Sequence, residues 1–529
     1  MDNNEENEIQ ISLRILAKTS FVVFIGVILS RLMSYVYRIA IARYFGPEVY
    51  GIFVLGTAII GWVASIAGLG LYEGLIRFIP LHNGKKEPLK TNYLVKFASK
   101  MLIVTGMFSG VILFILSDMI AIGIFHDPSL TLFLRILAVS IPLSVMASPF
   151  LAMLRGYENI ARYSFVFNIC QNFVKLAFIG LFILLGVGQA GVPWSYTLGI
   201  LSLLVLSYMY SKKYTEKIVG KTKNLDEKSR REVRNELLNY SIPLLFFGIV
   251  STLFYWIDSA MIGYFKSSIE VGLYNSATPI AMLLFITYEL FSQLFFPMIN
   301  REYGRKNFNK IKELSKQVSK WVLMINLPAL IILFFFPEII INLLFGSAYV
   351  GASRALQILV VGTFVSSLFS ISNSLVSMTG KSKIVLMNIL IATTINVILN
   401  YFFIPAESVF GISNINGING AALATTISLI ILNGLFLIQT WRLVRIIPLR
   451  RKMIQIFIGG MLLAVAMLYI RDKFTFTIWS AMSVTIASVI LYFVLILIMG
   501  ALDRNDKHII SSLFEKSKKI LKLKGEQKI

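Results

Sequence analysis

Cationic side chains inside apolar stretches are the first candidates for chemistry in this sequence. Residues 18–51 are mostly apolar and long enough to cross a bilayer, which takes ~20 helical residues, yet they include Arg31 and Arg38. Seven residues are close to two helical turns, so both guanidinium groups lie on one helix face, about 10 Å apart along the axis. Lys175 lies near the middle of another apolar stretch. A charge at membrane depth is costly unless it meets a partner or a wet cavity, so these side chains predict an anion-binding cavity.

Two amide side chains are expected to support this cavity. Asn172 shares a helix face with Lys175, and Asn396 holds the corresponding position in the second half of the chain. Both are predicted to contact the same ligand. The alternatives are structural: asparagine in membrane helices often makes interhelical hydrogen bonds, and Arg38, nearer its helix end, is equally explained by snorkelling or structural pairing.

Acidic residues within the apolar stretches are candidates for ion coupling or gating. Asp258 corresponds in position to Arg38, and Glu289 lies near the predicted midplane. Glu73 and Arg77 have the i, i+4 spacing of a helical ion pair. Two simpler interpretations remain: Glu289 neutralises Arg31 or Lys175 and fixes the packing, and Glu73–Arg77 is only an intrahelical pair.

The sequence contains no arrangement typical of an enzyme. Its three histidines, His82, His126 and His508, are scattered in loops and a tail, so they do not form a metal cluster. No phosphate-binding loop of the form GxxxxGK[ST] occurs, and the one cysteine, Cys170, has no partner for an internal disulfide. We therefore expect no catalytic residue, metal or cofactor. Coupling to an H⁺ or Na⁺ gradient is the energy source to consider.

Composition predicts an all-α polytopic membrane protein. The 529 residues are 57% hydrophobic with a mean hydropathy of +0.76, more apolar surface than a soluble protein of this size can bury. The formal net charge of +23 indicates basic cytoplasmic loops and an anionic inner leaflet rather than nucleic acid. The acidic start MDNNEENE lacks the basic region of a cleavable signal, so the first helix is expected to remain.

About fourteen membrane spans are predicted, and the loops between them alternate in charge. The spans are 16–43, 50–79, 94–117, 130–154, 161–186, 191–210, 240–265, 271–298, 320–341, 355–379, 384–404, 418–440, 453–470 and 478–500. Every second loop is rich in Lys and Arg, above all 211–238, while the others are poor in both. The positive-inside rule therefore predicts that the protein lies in the cell membrane with both termini in the cytoplasm.

An internal repeat divides the chain. IARYFGPEVYGIF (41–53) aligns with MIGYFKSSIEVGLY (261–274), and LRILAVS (134–140) with LQILVVG (356–362). Six spans is an even number, so the two copies have the same orientation and a pseudo-two-fold axis along the membrane normal. The predicted divisions are a six-helix lobe (1–210), a basic cytoplasmic linker (211–239), a second six-helix lobe (240–441), two extra helices (442–500) and a basic tail (501–529).

Several of these stretches resemble one family of transporters. ARYFGPEVYGIF (42–53), LRGYENIARYS (154–164) and MTGKSK (378–383), with a 6+6+2 arrangement of spans, are similar to the polysaccharide transporters and lipid-linked oligosaccharide (O-antigen) flippases of the multidrug/oligosaccharidyl-lipid/polysaccharide (MOP) exporter superfamily. The resemblance implies a V-shaped two-lobed bundle with alternating access and a cationic central cavity. Arg31, Arg38 and Lys175 match the residues that would meet the substrate's pyrophosphate.

The function expected from these observations is translocation of a polyprenyl-diphosphate-linked oligosaccharide. Its partners would be that substrate, the anionic inner leaflet and glycan-assembly enzymes, and we expect a monomer. The alternatives are a multidrug or small-molecule antiporter of the same superfamily, a membrane glycan polymerase or ligase, and a passive scaffold. Fourteen spans with buried arginine count against the antiporter, and the short external loops count against an enzyme.

Overall fold

The computed structural model describes residues 3–219, 225–409, 412–413, 415–471 and 478–503. The basic tail predicted for 501–529 lies almost entirely outside these residues, as do positions 220–224 of the basic linker.

Helices account for nearly all of the described chain. They are α1 (Asn3–Ala67), α2 (Leu71–Gly84), α3 (Pro88–Asp118), α4 (Ser129–Ala138), α5 (Ser140–Gly156), α6 (Ile160–Ser164), α7 (Gln171–Leu184), α8 (Gly191–Val219), α9 (Glu227–Phe265), α10 (Ser268–Gly304), α11 (Phe308–Phe335), α12 (Pro337–Phe345), α13 (Ser353–Phe369), α14 (Ile371–Met378), α15 (Ser382–Phe403), α16 (Gly417–Val444), α17 (Lys452–Arg471) and α18 (Ile478–Ile498). A two-stranded antiparallel ribbon joins β1 (Ser408–Val409) to β2 (Ile412–Ser413) in the loop before α16. The predicted fold class, all-α and polytopic, is confirmed.

A kink interrupts α1 at Gly46. Gly46 adopts a left-handed, extended conformation (φ 83°, ψ 178°), and Pro47, which follows it, has no backbone N–H to continue the helix. The apolar part of this helix, Ile25–Ala67, has 43 residues and would extend about 65 Å if straight, twice the hydrocarbon thickness of a bilayer. The kink falls between the predicted spans 16–43 and 50–79, and two separate membrane passes here stay a prediction.

Twelve helices within the described residues are long and apolar enough to cross a membrane. One of the twelve is the kinked Ile25–Ala67, and the shorter apolar helix Ser483–Ile498 is counted separately from them. The chain is thus a multi-pass membrane protein, and the total of about fourteen spans stays a prediction.

The first of two compact units contains residues 1–279, 344–355 and 389–428. In it α5 packs against α8 and α3, α7 against α8, and α1 against α9, α7 and α4. The start of α10 touches α1 at equivalent positions of the repeat: a Cβ on Gly51 would lie 1.7 Å from the Ser268 carbonyl oxygen, and one on Gly272 would lie 2.0 Å from the Pro47 carbonyl oxygen. Glycine is required at both positions because the two backbones are in contact.

The second unit contains residues 280–343, 356–388 and 429–529. Its apolar core includes Phe295, Val322 and Leu375, and α17 packs along α11. The two units do not coincide with the divisions drawn from the repeat, which stay a prediction.

Candidate functional site

Lys175 is held inside the first unit by α7 and α8. A π-helical segment, Phe165–Cys170, immediately precedes α7, and Lys175 lies one turn into that helix with only 9% of its surface exposed. Its ammonium nitrogen is 4.2 Å from the centroid of the Tyr196 ring on α8. The aromatic face offers a partly desolvated cation electrostatic compensation without a counter-charge.

Arg38 is half-buried on α1, close enough to Lys175 to interact with it electrostatically. It lies beside Tyr50 and Tyr255. Tyr50 is fully buried and donates a hydrogen bond to the Asn275 carbonyl oxygen at 3.1 Å, which fixes the aromatic wall around the guanidinium group.

Among the residues that the structure describes, neither cation has an acidic partner. Within the described part of the chain, no ion pair joins a carboxylate to Arg38 or to Lys175. Two positive charges in an apolar helical setting, surrounded by tyrosines, are left with an uncompensated desolvation cost. An anionic ligand would compensate it.

Arg31 and Asn172 lie where α1 meets α7. Arg31 is exposed on α1. Asn172 donates hydrogen bonds to the Ser30 hydroxyl, beside Arg31 in the chain, and to the Asn168 carbonyl oxygen, both at 2.9 Å. The predicted substrate-binding role of Arg31 and Asn172 stays a prediction; the structure shows that Asn172 also ties α7 to α1.

Asp258 occupies the centre of a buried polar cluster on the second repeat. The carboxylate is 7% exposed and accepts hydrogen bonds from Tyr274 at 2.7 Å, from Asn400 at 2.7 Å and from Asn396 at 3.2 Å. The Thr425 hydroxyl is a fourth donor, and it accepts a hydrogen bond from Asn396 at 3.1 Å. Four helices, α9, α10, α15 and α16, meet at this one acid.

The cluster brings one buried carboxylate together with amide and hydroxyl groups. The amide nitrogen of Asn400 donates to Asp258. The oxygen of the same amide is buried and has no hydrogen-bond partner among the described residues. One carboxylate with amide and hydroxyl oxygens suits a hard monovalent cation, and the carboxylate alone suits a proton. No group of three or more His, Cys, Asp or Glu residues that could hold a metal occurs in the described chain.

Sequence reasoning found only part of this cluster. Asn396 was predicted to contact substrate, and the structure places it against Asp258. Tyr274 and Thr425 were missed, because each lies on a different helix from Asp258 and no spacing in the sequence connects them. The available signal was a polar side chain in an apolar span, which both residues show.

The other predicted gating residues are dispersed. Glu289 is half-buried in the second unit. Glu73 and Arg77 are exposed on α2, where the Arg77 guanidinium group lies 4.3 Å from the centroid of the Tyr240 ring. Within the described residues, no ion pair joins Asp258 to Arg38 in this conformation, and their interaction in another state stays a prediction.

The all-α, multi-pass fold is similar to that of a solved membrane protein. The structure resembles that of the lipid II flippase MurJ in an inward closed conformation, with a TM-score of 0.68 and 16% sequence identity, covering 91% of this chain and 98% of that one. A likeness at this identity establishes the fold.

The sequence matches place the chain more narrowly. Residues 16–302 match the family described as "Polysaccharide biosynthesis protein", and residues 243–402 match MatE. The chain belongs to the polysaccharide biosynthesis protein family, which confirms the resemblance seen in its motifs.

Two curated relatives illustrate that membership. A "Putative O-antigen transporter" of Shigella flexneri is 24% identical over 369 residues, 65% of this chain and 80% of that protein. The lipid II flippase MurJ of Bacillus subtilis (strain 168) is 22% identical over 423 residues, 73% of this chain and 76% of that protein.

Proposed function

We propose that this protein is a flippase that moves a polyprenyl-diphosphate-linked oligosaccharide across the cytoplasmic membrane by alternating access. The observation that carries the proposal is the pair Arg38 and Lys175, which interact electrostatically within the first unit and have no carboxylate bound to either in the described chain. A diphosphate is the charged part of such a substrate and the part that cannot cross ~30 Å of hydrocarbon unaided.

The two side chains supply different contacts to that diphosphate. The planar guanidinium group of Arg38 can donate two parallel hydrogen bonds to one phosphate, and the Lys175 ammonium group acts as a point charge. Arg31 and Asn172 extend the polar surface at the α1–α7 contact. The polyprenyl chain stays in the bilayer while the head group passes through the protein.

The Asp258 cluster supplies the coupling. A proton or Na⁺ bound there changes the charge at a point where helices of the second repeat converge. Because Asn396, Asn400 and Thr425 reach the carboxylate from α15 and α16, occupancy of the cluster alters how these helices are held to α9. Ion binding is thereby linked to the conformation that the substrate requires.

The relatives' names agree with this function: one is an O-antigen transporter and another a lipid II flippase. With both termini in the cytoplasm, the basic loops face the anionic inner leaflet, where precursors and the enzymes that assemble them are located. A monomer suffices, since both repeats are in one chain.

A multidrug antiporter is the second candidate, favoured by the MatE match over 243–402, which includes Asp258 and Asn396. An antiporter for organic cations needs an acidic cavity, however, and Arg38 and Lys175 would repel its substrate.

Transport by the purified chain in proteoliposomes distinguishes these candidates. The probes are an undecaprenyl-diphosphate oligosaccharide with a fluorescent sugar, the same glycan on an undecaprenyl monophosphate, and a cationic dye. We expect protein-dependent movement of the diphosphate substrate, slower movement of the monophosphate and none of the dye. Ion-coupled dye movement without glycolipid movement would support the antiporter and overturn the flippase.

A further inference from the structure

A buried histidine joins the two repeats at the predicted cytoplasmic side of the first unit. His82 lies in the last turn of α2, next to the basic residues Lys85, Lys86 and Lys90, and is 2% exposed. Across from it is α9, the first helix of the second repeat. Neither the cationic pair nor the Asp258 cluster involves His82.

The contact between α2 and α9 is close along its length. Leu69 and Gly70 take left-handed conformations (φ 50° and 65°) that separate α2 from α1. Gly70 and Gly74 then lie against α9: a Cβ on Gly70 would be 2.3 Å from the Ser241 carbonyl oxygen, and one on Gly74 would be 2.7 Å from the Leu237 side chain. The first turn of α2 therefore packs directly against α9, and His82 lies about two turns further along α2.

His82 is placed between two carboxylates at this contact. Its Nδ1 atom is 3.0 Å from Glu87 Oε2, a hydrogen bond in which the ring donates to the carboxylate. Its Nε2 atom is buried, has no hydrogen-bond partner in the described chain, and lies 3.7 Å from Glu236 Oε2 on α9.

The protonation state of the ring decides whether the second carboxylate is bound. In the neutral ring with Nδ1–H directed at Glu87, Nε2 is an acceptor that faces an acceptor, and the Glu236 contact is unfavourable. In the imidazolium form Nδ1–H still donates to Glu87 and Nε2–H donates to Glu236, so the ring makes two charge-assisted hydrogen bonds, of which the one to Glu236 ties α2 to α9.

The cationic groups packed around His82 have other partners, so His82, when protonated, is the candidate for the group that binds Glu236. The charges on the elements packed around His82 are Glu87 in the loop, Lys90 on α3, Glu232 and Glu236 on α9, Arg77 on α2 and Arg155 at the end of α5. Lys90 binds Glu87 at 2.8 Å, and hydrogen bonds from Lys90 and then His82 lower the pKa of the Glu87 carboxyl. Arg77 lies over Tyr240, and Arg155 is directed at Tyr72 and Tyr163.

We propose that His82 is a proton-sensitive latch that fastens the cytoplasmic ends of α2 and α9 when protonated and loosens them when neutral. The transport consequence rests on the proposed function, since alternating access requires helices of the two repeats to separate on the cytoplasmic side. A fall in cytoplasmic pH would then hold the protein closed to the cytoplasm and slow the loading of substrate.

The distance between α2 and α9 tests the latch directly. On a Cys170→Ser background, spin labels at Lys85→Cys and Asn235→Cys, both exposed positions, report this distance in the reconstituted full chain. Between pH 8 and pH 5.5 we expect the ratio of joined to separated conformers to rise by about ten-fold, the effect of one hydrogen bond to a charged group.

Three variants show which group titrates. His82→Gln keeps a donor for Glu87 without a titrating ring and should abolish the pH response, as should Glu236→Gln, which removes the second carboxylate. His126→Gln alters an exposed histidine in another loop and should leave the response intact. A distance that does not change with pH, or a response that survives in His82→Gln, would overturn the latch.

The same samples separate the latch from the flippase. A pH-dependent distance in a protein that moves no glycolipid would retain the latch and reject the flippase. Glycolipid movement with a distance that ignores pH would reject the latch and retain the flippase.

Discussion

The cationic side chains on α1 and α7 differ from one another in their surroundings. Lys175 and Arg38 are enclosed by tyrosines, whereas Arg31 is exposed on α1. The spacing of the two arginines could be read from the sequence, because a helix repeats every 3.6 residues. The tyrosines around them could not, because Tyr50, Tyr196 and Tyr255 arrive from separate parts of the chain.

Arg31 tests whether the planar guanidinium group matters at the edge of this site. Arg31→Ala should abolish head-group translocation, and Arg31→Lys should impair it severely, since an ammonium group does not reproduce the bidentate contact. Both variants should insert and express normally. Near-normal translocation by Arg31→Ala would leave Arg31 as a structural residue.

Asp258 tests the coupling. Asp258→Asn preserves the shape of the side chain but removes the negative charge, so translocation should no longer respond to an imposed H⁺ or Na⁺ gradient. Asp118→Asn, which alters an exposed acid paired with Arg135 at 2.6 Å, is the matched control and should retain the response. A gradient response that persists in Asp258→Asn would place coupling elsewhere.

The fold is built from helices. The sequence predicted that these helices exist, but it did not predict all of their ends and breaks. Long apolar runs predicted the membrane helices, and the predicted boundary between the spans 16–43 and 50–79 coincides with the kink at Gly46-Pro47. The break at Leu69-Gly70 was not predicted, because its left-handed leucine is imposed by the close contact of Gly70 with α9. The π-helical turn before α7 likewise depends on tertiary packing.

The two helices beyond the repeat are fastened by one carboxylate. Asp503, just after α18, binds the fully buried Lys320 of α11 at 2.9 Å, and Arg450 and Lys452 also at 2.9 Å. Although burial opposes it, hydrogen bonds from Lys452 and Lys320 and the nearby positive charges lower the pKa of Asp503. None of these pairings follows from the sequence, since Lys320 and Asp503 are far apart in the chain.

A lowered carboxyl pKa fixes the sign of the pH effect. The network stabilises the fold at a pH above the usual pKa of an aspartate. This contribution is lost as the pH falls through the lowered pKa of Asp503. Asp503→Asn should reduce the melting temperature in detergent at pH 7, and the deficit relative to wild type should shrink at pH 3. Adding Lys320→Met to Asp503→Asn should restore part of the lost melting temperature, because it removes the buried lysine that the first substitution leaves without its partner. An unchanged melting temperature at pH 7 would show that the network contributes nothing.

At the scale of the whole molecule, the sequence predicted an all-α, polytopic member of this family, and the family match and the fold agree, while the duplication stays a prediction. The alternation of basic loops predicts the orientation, with both termini in the cytoplasm.

Topology is checked by cysteine accessibility on a Cys170→Ser background. A cysteine at Lys381 should react only with reagents that reach the cytoplasm, and one at Glu407, in the loop before α16, only from outside. External labelling at Lys381 would reverse the orientation and move the latch to the other face of the membrane.

The central claim is that Arg38 and Lys175 bind the diphosphate of a lipid-linked oligosaccharide during its translocation. The most direct measurement is the rate at which the fluorescent diphosphate substrate crosses proteoliposomes containing wild type, Arg38→Ala, Lys175→Ala or the exposed control Arg135→Ala. Each of the first two substitutions should lower the rate at least about ten-fold, since each removes contacts to a charged group, while Arg135→Ala should leave it unchanged. Wild-type rates in both Arg38→Ala and Lys175→Ala would contradict the claim.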